Sequence, residues 1–399
     1  MTNATDPIAV LKELVAIPSV NPMGRDVSGP EYFEENLTRY LLDFFERLGL
    51  PCEQRELAAG RSNLLARFDS PDSDVTILLD AHQDTVPTDG MTIDPFDPVV
   101  KEGRLYGRGA CDVKGGMAAM LAAVARLAHE RPSGAANVFL SLSCDEEATI
   151  LGVRDLAEQI ESAGQPDSQF SRRPDVAVVA EPTDLNVVVA HRGATRWKIR
   201  TAGRACHSSR PENGINAIYR MARVVRALED YAAELGDQIP PHPLCGPATL
   251  SVGRIEGGVS VNTVPDFCEI EIDRRVIPGE DGRAVMEPVR EYLAERIDVP
   301  FEFSPPWITG STLSDADNGP WADRLLTHIA AVVGPREKVG VAYGTNASRI
   351  STAGVPSMVF GPGSIEQAHT KDEWIDLGEL EQAAEIYYRF CTAGSSKPV

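Results

Sequence analysis

His82 and Asp84 are the first residues of the chain whose types and spacing suggest metal chemistry. They follow Val75 to Leu79, an apolar run that is typical of a buried strand. In an open α/β sheet, ligands bind in the crevice at the carboxyl ends of the strands, so we expect both side chains at that edge. The histidine would then be a metal ligand that the aspartate orients. A buried histidine that is only hydrogen-bonded to the aspartate explains the pair equally well at this point.

Carboxylates occupy similar positions further along the chain. A strand predicted over 138–143 ends in Cys144-Asp145-Glu146-Glu147, and Glu181 ends the next apolar strand. Asp112 lies in a glycine-rich loop just ahead of a helix predicted over 117–128. A solvated acidic loop and a helix N-cap are the ordinary alternatives for these acids. However, consecutive acids at a strand end repel one another unless a positive charge lies among them.

A last strand, predicted over 357–360, leads into the segment that carries His369. Two histidines and four carboxylates without cysteine suit Zn²⁺, Co²⁺ or Mn²⁺. Two ions can share such a set if one carboxylate bridges them and each ion takes one histidine and one further carboxylate. One carboxylate then remains as a general base. The collected residues are His82, Asp112, Glu146, Glu147, Glu181 and His369.

Composition limits the classes of partner. A formal net charge of −21 argues against nucleic acid and anionic membranes, which are bound through Lys and Arg. The seven cysteines are an odd number without a Cys-x-x-Cys pair, so we expect free thiols, with Cys111 and Cys144 as small buried side chains. The first residues lack the pattern of a signal peptide, and no run of about 18 apolar residues occurs. These features favour the cytoplasm.

The order of predicted elements indicates two domains. Between residues 191 and 304 the order is β-α-β-β-α-β, which suits a ferredoxin-like α+β insert. Residues 1–190 and 305–399 would then form one discontinuous metal-binding catalytic domain, large enough for its own core. The elements predicted in the insert are strands over 195–201, 249–255, 267–275 and 301–303, and helices over 216–235 and 284–296.

At six places, which span nearly the whole length, the chain resembles one enzyme family. This is the zinc-dependent acetylornithine deacetylase, succinyl-diaminopimelate desuccinylase, aminoacylase and carboxypeptidase G family, and the branch most similar is acetylornithine deacetylase. The resemblance implies an α/β fold, with a mixed-sheet zinc-peptidase-like catalytic domain and a lid that also dimerises. The matching pieces, in the family's order, are Ala81-His82-Gln83-Asp84-Thr85-Val86-Pro87, Gly107-Arg108-Gly109-Ala110-Cys111-Asp112-Val113-Lys114-Gly115-Gly116, Asp145-Glu146-Glu147, Ala180-Glu181-Pro182-Thr183, Ala205-Cys206-His207-Ser208-Ser209-Arg210-Pro211, and Gly361-Pro362-Gly363 through Ala368-His369.

The resemblance also implies a role for each metal ligand. Asp112 would bridge two divalent ions, Zn or Co with Mn possible. His82 and Glu181 would complete the coordination of one ion, and Glu147 and His369 would complete that of the other. Asp84 would hydrogen-bond His82 and fix its orientation.

Catalytic and substrate-binding roles are implied in the same way. Glu146 would take a proton from a metal-bridging water and pass it to the leaving amine. His207, in the lid, would reach the active site of a partner subunit and stabilise the oxyanion, which implies a homodimer through 191–304. The substrate carboxylate would be bound by Arg275 or Arg274, because a guanidinium can hold it with two hydrogen bonds. Asn262, Thr345 and Arg349 would lie nearby.

Three positions bear on the branch and the substrate. Val113 stands where many members have a second acid or another residue, and Asn346 stands where many have aspartate. Neither change should remove a metal ligand, but Asn346 could alter hydrogen bonding to substrate. Glu181 is a glutamate where the peptidase branches tend to have aspartate, which favours the deacylases.

We therefore expect a two-metal amidohydrolase that acts on a small N-acyl amino acid. The alternative within the same chemistry is a metallo-dipeptidase or carboxypeptidase. An inactive metal-bound binding protein is the alternative of another class, and an intact Glu146 argues against it, because a binding protein has no use for a general base.

Overall fold

The computed structural model describes residues 3–71, 73–393 and 397, and the chain contains both helices and strands. The helices are α1 (Pro7–Val15), α2 (Glu35–Leu48), α3 (Lys114–Glu130), α4 (Leu151–Glu161), α5 (Ala217–Gln238), α6 (Met286–Arg296), α7 (Gly319–Val333), α8 (Ala347–Thr352) and α9 (Leu377–Thr392). The strands are β1 (Cys52–Ala58), β2 (Arg61–Phe68), β3 (Thr76–His82), β4 (Val99–Lys101), β5 (Arg104–Tyr106), β6 (Asn137–Ser143), β7 (Val176–Val179), β8 (Val187–His191), β9 (Gly193–Ala202), β10 (Cys206–His207), β11 (Thr249–Gly257), β12 (Thr263–Val264), β13 (Phe267–Val276), β14 (Glu302–Phe303), β15 (Lys338–Val341), β16 (Ser357–Val359) and β17 (Trp374–Asp376).

The chain forms two compact units, each with its own hydrophobic core. The first contains 1–189, 314–339 and 345–399, and the second contains 190–313 and 340–344. The predicted insert, 191–304, falls within the second unit. Its limits and its role as a lid and dimerisation domain stay predictions.

A mixed sheet organises the first unit. In the part of the chain that the structure describes, it has eight strands in the order β1-β2-β6-β3-β7-β16-β8-β15. The three strands β6, β3 and β7 pair in parallel, whereas β1 and β2 are antiparallel to their neighbours. Every residue of β3 is buried, as expected for a parallel strand that is covered on both faces.

Helix α3 shows why the core of this unit is well specified by sequence. Its alanines and methionines are good helix formers, and nearly all of them are buried between α1 and α9. The apolar residues of α9 pack into the same core. Within the described residues, none of the helices combines the length and the apolar character needed to cross a bilayer.

The second unit has the predicted α+β arrangement. In the described residues its main sheet is antiparallel, with strand order β11-β13-β9-β14, and α5 and α6 join the strands in the β-α-β-β-α-β order. Residues of β13 alternate between buried and partly exposed, which gives this sheet one face on the core.

Several elements differ from the sequence prediction. β1 and α4 were not predicted: β1 is an exposed edge strand of mostly polar residues, so its pattern lacks the apolar alternation that marks a half-buried strand. The apolar spacing predicts a helix from Glu31 to about Leu48. In the structure helix α2 begins at Glu35, because Phe33 takes a left-handed φ of 65° that a helix cannot contain.

Candidate metal centre

Parallel strands bring the first residues of the candidate site to one edge of the sheet. His82 is the last residue of β3, and its partner on the parallel strand β6 is Ser143. β7 pairs in parallel on the other side of β3. Because parallel strands end at the same edge, the segments that carry Glu146, Glu147 and Glu181 start beside His82.

Asp112 lies between the two histidines of the site. Its Oδ1 is 3.1 Å from Nε2 of His82, and its Oδ2 is 3.2 Å from Nε2 of His369. Nε2 of His369 is also 3.2 Å from Oε1 of Glu147. One carboxylate therefore faces a different imidazole with each oxygen, which is the orientation that a bridging ligand needs.

The donor atoms fit a divalent metal ion. Ligand atoms of His82, Asp112 and Glu147 all lie within 4.8 Å of one another. Donors bound to zinc at about 2.0–2.2 Å in a tetrahedron are about 3.3 Å apart. The distances of 3.1 Å between His82 and Asp112 and of 3.2 Å between His369 and Glu147 are close to this value. Imidazole nitrogen and carboxylate oxygen without sulfur suit Zn²⁺, Co²⁺ or Mn²⁺. His82 was expected to share an ion with Glu181, whereas these three atoms place Glu147 beside His82.

Glu181 is buried at the same edge, next to the segment that leads to His369. A Cβ on Gly361 would come within 2.5 Å of the carbonyl oxygen of Glu181, so the two main chains meet at a distance that only glycine permits. Burial and the charge of Asp112 raise the pKa of Glu181 well above its usual range.

The site concentrates negative charge. Burial raises the pKa of Glu146, to about 8, and also that of Glu147. Hydrogen bonds to Asp112 and Glu147 raise the pKa of His369 to about 10. Burial alone would lower the pKa of His82, but its contacts with Asp112 and Asp84 raise it. A divalent cation among these groups would favour the ionised carboxylates, so the electrostatics agree with the donor geometry.

Asp84 positions the two glutamates through their main chain. Its Oδ1 accepts the amide of Glu146 at 3.0 Å, and its Oδ2 accepts the amide of Glu147 at 3.1 Å. The predicted contact with His82 takes another form: Nδ1 of His82 is 2.9 Å from the main-chain oxygen of Asp84 and 3.6 Å from its Oδ1. Asp84 therefore orients the histidine mainly through its carbonyl group.

Asn21 and Arg61 support this arrangement from behind and were not predicted. Nδ2 of Asn21 donates to Asp84 and Asp145, each at 2.8 Å, and Nη1 of Arg61 is 3.0 Å from Asp145. Arg61 also pairs at 2.6 Å with Glu34, whose pKa burial raises to about 8. These residues are far apart in sequence and carry no motif, so no local signal could have identified them.

In the second unit, His207 and Asn262 lie on neighbouring segments. His207 pairs with Thr263 across β10 and β12, and the amide of Ser208 donates to the carbonyl of Asn262 at 2.9 Å. The ring of His207 is exposed, with Nδ1 2.8 Å from Oγ of Ser209. An exposed imidazole on a short hairpin is available to a group outside its own unit.

The two candidate arginines differ in environment. Arg274 is 1% exposed, and its guanidinium pairs with Glu280 at 2.5 Å. Arg275 points to the other face of β13, is one third exposed, and pairs with Asp273 at 2.7 Å. Arg275 is therefore the more accessible of the two guanidinium groups. The alternation of Cys268, Ile270 and Ile272 in the sequence is the signal that would have placed Arg274 on the buried face.

Thr345, Asn346 and Arg349 lie at the start of α8. Thr345 is buried, and its Oγ1 accepts the amide of Ala347 at 3.2 Å. Asn346 is 2% exposed and donates to Oδ2 of Asp80 at 3.0 Å and to Oγ of Ser143. Its NH₂ group is therefore used inside the protein, whereas its Oδ1 has no hydrogen-bond partner among the described residues. The effect of Asn346 on hydrogen bonding to substrate stays a prediction.

The cysteines next to the site are buried, as predicted. Burial, together with the charges of Glu373 and Asp112, raises the pKa of Cys111 well above its usual range, and burial also raises that of Cys144. Neither thiol is therefore activated as a nucleophile.

Comparison with known proteins identifies the family. The profile of peptidase family M20/M25/M40 matches residues 78–393. An acetylornithine deacetylase of Proteus mirabilis is 30% identical, over 98% of each chain. The M20 family metallo-carboxypeptidase Sso-CP2 of Sulfolobus solfataricus has the same fold, with a TM-score of 0.77 and 17% identity over 98% of this chain and 99% of the other. The YXEP protein of Bacillus subtilis, a dinuclear metal binding peptidase, has a TM-score of 0.68 and 17% identity over 98% and 97% of the two chains.

Proposed function

Because the chain belongs to peptidase family M20/M25/M40, we propose that it is a two-metal hydrolase of small N-acyl amino acids. The reaction consumes water and an amide, and it releases a carboxylic acid and a free amine. The observation that carries this proposal is the position of Asp112, with one carboxylate oxygen toward His82 and the other toward His369.

The metal-binding part of the proposal uses five residues. Asp112 would be shared by the two ions, and His82, Glu147, Glu181 and His369 would complete their ligands. Zn²⁺ or Co²⁺, with Mn²⁺ possible, suits these nitrogen and oxygen donors. When bound, the ions supply Lewis acidity that lowers the pKa of water and polarises the amide carbonyl.

Glu146 would carry the proton. Its main-chain amide is held by Asp84, so the side chain starts from a fixed point beside the candidate ligands. The carboxylate of Glu146 takes a proton from the attacking water and delivers it to the nitrogen of the leaving amine. Removal of the proton from water and protonation of the amine balance each other, so Glu146 is restored after each turnover.

The similarity to acetylornithine deacetylase supports the deacylase branch. Glu181, in place of the aspartate that the peptidase branches tend to have, favours the same branch. Arg275 would bind the substrate carboxylate together with Asn262, Thr345 and Arg349, because its guanidinium is the more exposed of the two candidates.

A substrate panel tests this proposal. N-acetyl, N-succinyl and N-formyl amino acids are compared with unblocked dipeptides, and the released amine is measured. We expect more amine to be released from acyl amino acids than from dipeptides, and most of all from N-acetylornithine. Faster release from dipeptides would instead identify a dipeptidase or carboxypeptidase. If the protein binds two metal ions but hydrolyses no compound of the panel, the result would favour a binding protein.

The same proposal includes a homodimer through the second unit, so that His207 can stabilise the oxyanion in the active site of a partner subunit. Several large apolar side chains of this unit are exposed, among them Val259 at 88% and Val261 at 101%. They border a groove of about 780 Å³ that also includes Tyr219. In the described residues β11 is an edge strand, paired with β13 alone. A second copy of this chain would cover both features.

The molecular mass of the protein in solution tests whether it is a dimer. Val259→Glu places a charge in the proposed interface, and Val99→Glu places one at an exposed valine of the first unit. We expect V259E to be a monomer with little activity and V99E to be an active dimer. A wild-type protein that is monomeric and fully active would refute the dimer and the role of His207.

We also propose the cytoplasm as the location, because all seven cysteines are free thiols. Fractionation of cells that produce the protein would test this. Its recovery from an oxidising compartment with paired cysteines would contradict the assignment.

A further inference from the structure

Glu373 is a buried carboxylate on which four donors converge. Its Oε1 accepts the main-chain amides of Cys111 and Asp112, each at 2.9 Å. Its Oε2 accepts the amide of Gly109 at 3.0 Å and Nη1 of Arg108 at 2.6 Å. Glu373 is fully buried, so no solvent can replace these partners.

This carboxylate therefore sets the conformation of the loop that ends in Asp112. Three of its four partners are amides of that loop, and none of the three would otherwise have an acceptor within a helix or strand. A buried amide without an acceptor is destabilising, so the loop is held where these amides reach Glu373. The position of the Asp112 carboxylate follows from that of its own main chain.

The same residue connects the loop to the segment that carries His369. The amide of Gly107 donates to the main-chain oxygen of Glu373 at 3.0 Å, and Nη2 of Arg108 is 3.4 Å from the carbonyl oxygen of Thr370. Glu373 follows His369 by only a few residues. One buried ion pair, Arg108 with Glu373, thus joins the two segments whose side chains meet at 3.2 Å.

We propose that Glu373 is a positioning residue of the metal centre, which holds Asp112 at its place between His82 and His369 by binding the main chain of the loop. This inference rests on the proposed function, because it assumes that Asp112 and His369 are metal ligands. It adds a residue outside the predicted ligand and catalytic set.

Glu373→Gln distinguishes a role in holding the loop by hydrogen bonds from a role in packing alone. The two side chains have the same shape, but a carboxamide has one acceptor oxygen and one NH₂ group, and each oxygen of Glu373 has two donors. In E373Q two donors must therefore face an NH₂ group. The loop would shift, although no volume is lost.

A matched control is Asp175→Asn. Asp175 also accepts a main-chain amide, that of Thr76 at 2.8 Å, and pairs with Arg172 at 3.1 Å. It lies before the first residue of β7, at the end of the sheet opposite His82. D175N removes a comparable charge without touching the loop.

The test measures Co²⁺ affinity of the metal-free proteins and amide exchange of the segment 105–116. We expect the dissociation constant for Co²⁺ to rise about 10- to 100-fold in E373Q, as for other partners that orient metal ligands. Exchange in 105–116 should accelerate in the metal-free variant, and D175N should show neither effect. Affinity within twofold of wild type, or unchanged exchange, would overturn the proposal.

Two further outcomes remain decisive. If E373Q does not fold, Arg108→Lys keeps the three amide bonds to Glu373 but loses the contacts of Nη2 with the carbonyl oxygens of Pro87 and Thr370, and we expect at least a threefold weaker Co²⁺ affinity. A change below twofold in R108K would then refute the proposal. If wild-type protein binds no Co²⁺, the proposed function fails, and the exchange measurement alone decides whether Glu373 holds the loop.

Discussion

Asp112 presents its Oδ2 atom to Nε2 of His369 at 3.2 Å, although the two residues come from distant parts of the chain. The glycine-rich loop before α3 and the segment after β16 must both fold correctly for this contact to form. The remaining oxygen of Asp112 is directed at His82. Loss of this single carboxylate should therefore affect both proposed metal positions.

Asp112→Ala should be the most damaging change to a ligand. We expect turnover to fall by about a thousandfold or more, because metal ions contribute several kcal/mol to transition-state stabilisation. Bound metal, measured by elemental analysis, should fall further than in His369→Ala, which alters a half-exposed ligand at one position. Activity of D112A close to that of wild type would remove the bridging assignment.

Glu146→Gln separates catalysis from metal binding. A carboxamide cannot accept the proton from water, so we expect turnover to fall about 10²- to 10⁴-fold. Metal content should stay at the wild-type level, because Glu146 is not among the proposed ligands. Retention of more than a tenth of the wild-type rate would mean that another group is the base.

Asn346→Ala should lower the stability of the folded protein. The change leaves Oδ2 of Asp80 without its donor at full burial, which should lower the free energy of unfolding by about 1–3 kcal/mol. KM should stay nearly unchanged, because the NH₂ group of Asn346 is bound inside the protein. Urea unfolding and steady-state kinetics measure the two effects, and a large rise in KM with unchanged stability would indicate a substrate contact.

His191 should make the second unit sensitive to acid. Burial lowers the pKa of His191 to about 4, whereas an unfolded histidine titrates near 6.5. The unfolded chain therefore binds more protons between these values, so stability is complete above about pH 6.5 and falls as the pH approaches 4. The full difference is about 3 kcal/mol.

Urea unfolding at pH 7.5 and pH 4.5 measures this effect. His191→Gln should reduce the difference between the two pH values, and the control His129→Gln, at an exposed position near the end of α3, should not. Equal acid sensitivity in H191Q and wild type would show that other groups are responsible.

Much of the candidate metal centre could be predicted from the sequence. His82, Glu146, Glu147 and Glu181 each follow an apolar strand, and parallel strands of that kind end at one edge, so proximity follows from the strand pattern. Asp112 and His369 lie in loops whose position the strand pattern does not fix. Their residue types made them candidate ligands, but the role of each depended on the family resemblance.

The supporting residues could not be predicted in this way. Glu373 lies between Asp372 and Trp374 in a segment without a motif, and its role depends on amides of a loop far away in sequence. Asn21 and Arg61 are equally distant from Asp84 and Asp145. Such partners are fixed by the tertiary fold, because any buried amide or carboxylate must find one wherever the chain brings it.

The measurement that tests the central claim most directly is metal restoration. Wild-type protein and E146Q are stripped of metal, and hydrolysis of N-acetyl amino acids is followed before and after addition of Zn²⁺ or Co²⁺. We expect no hydrolysis by the stripped wild type, recovery on addition of about two ions per chain, and no recovery in E146Q although it binds the same ions. Full hydrolysis by the stripped wild-type protein would contradict the two-metal proposal.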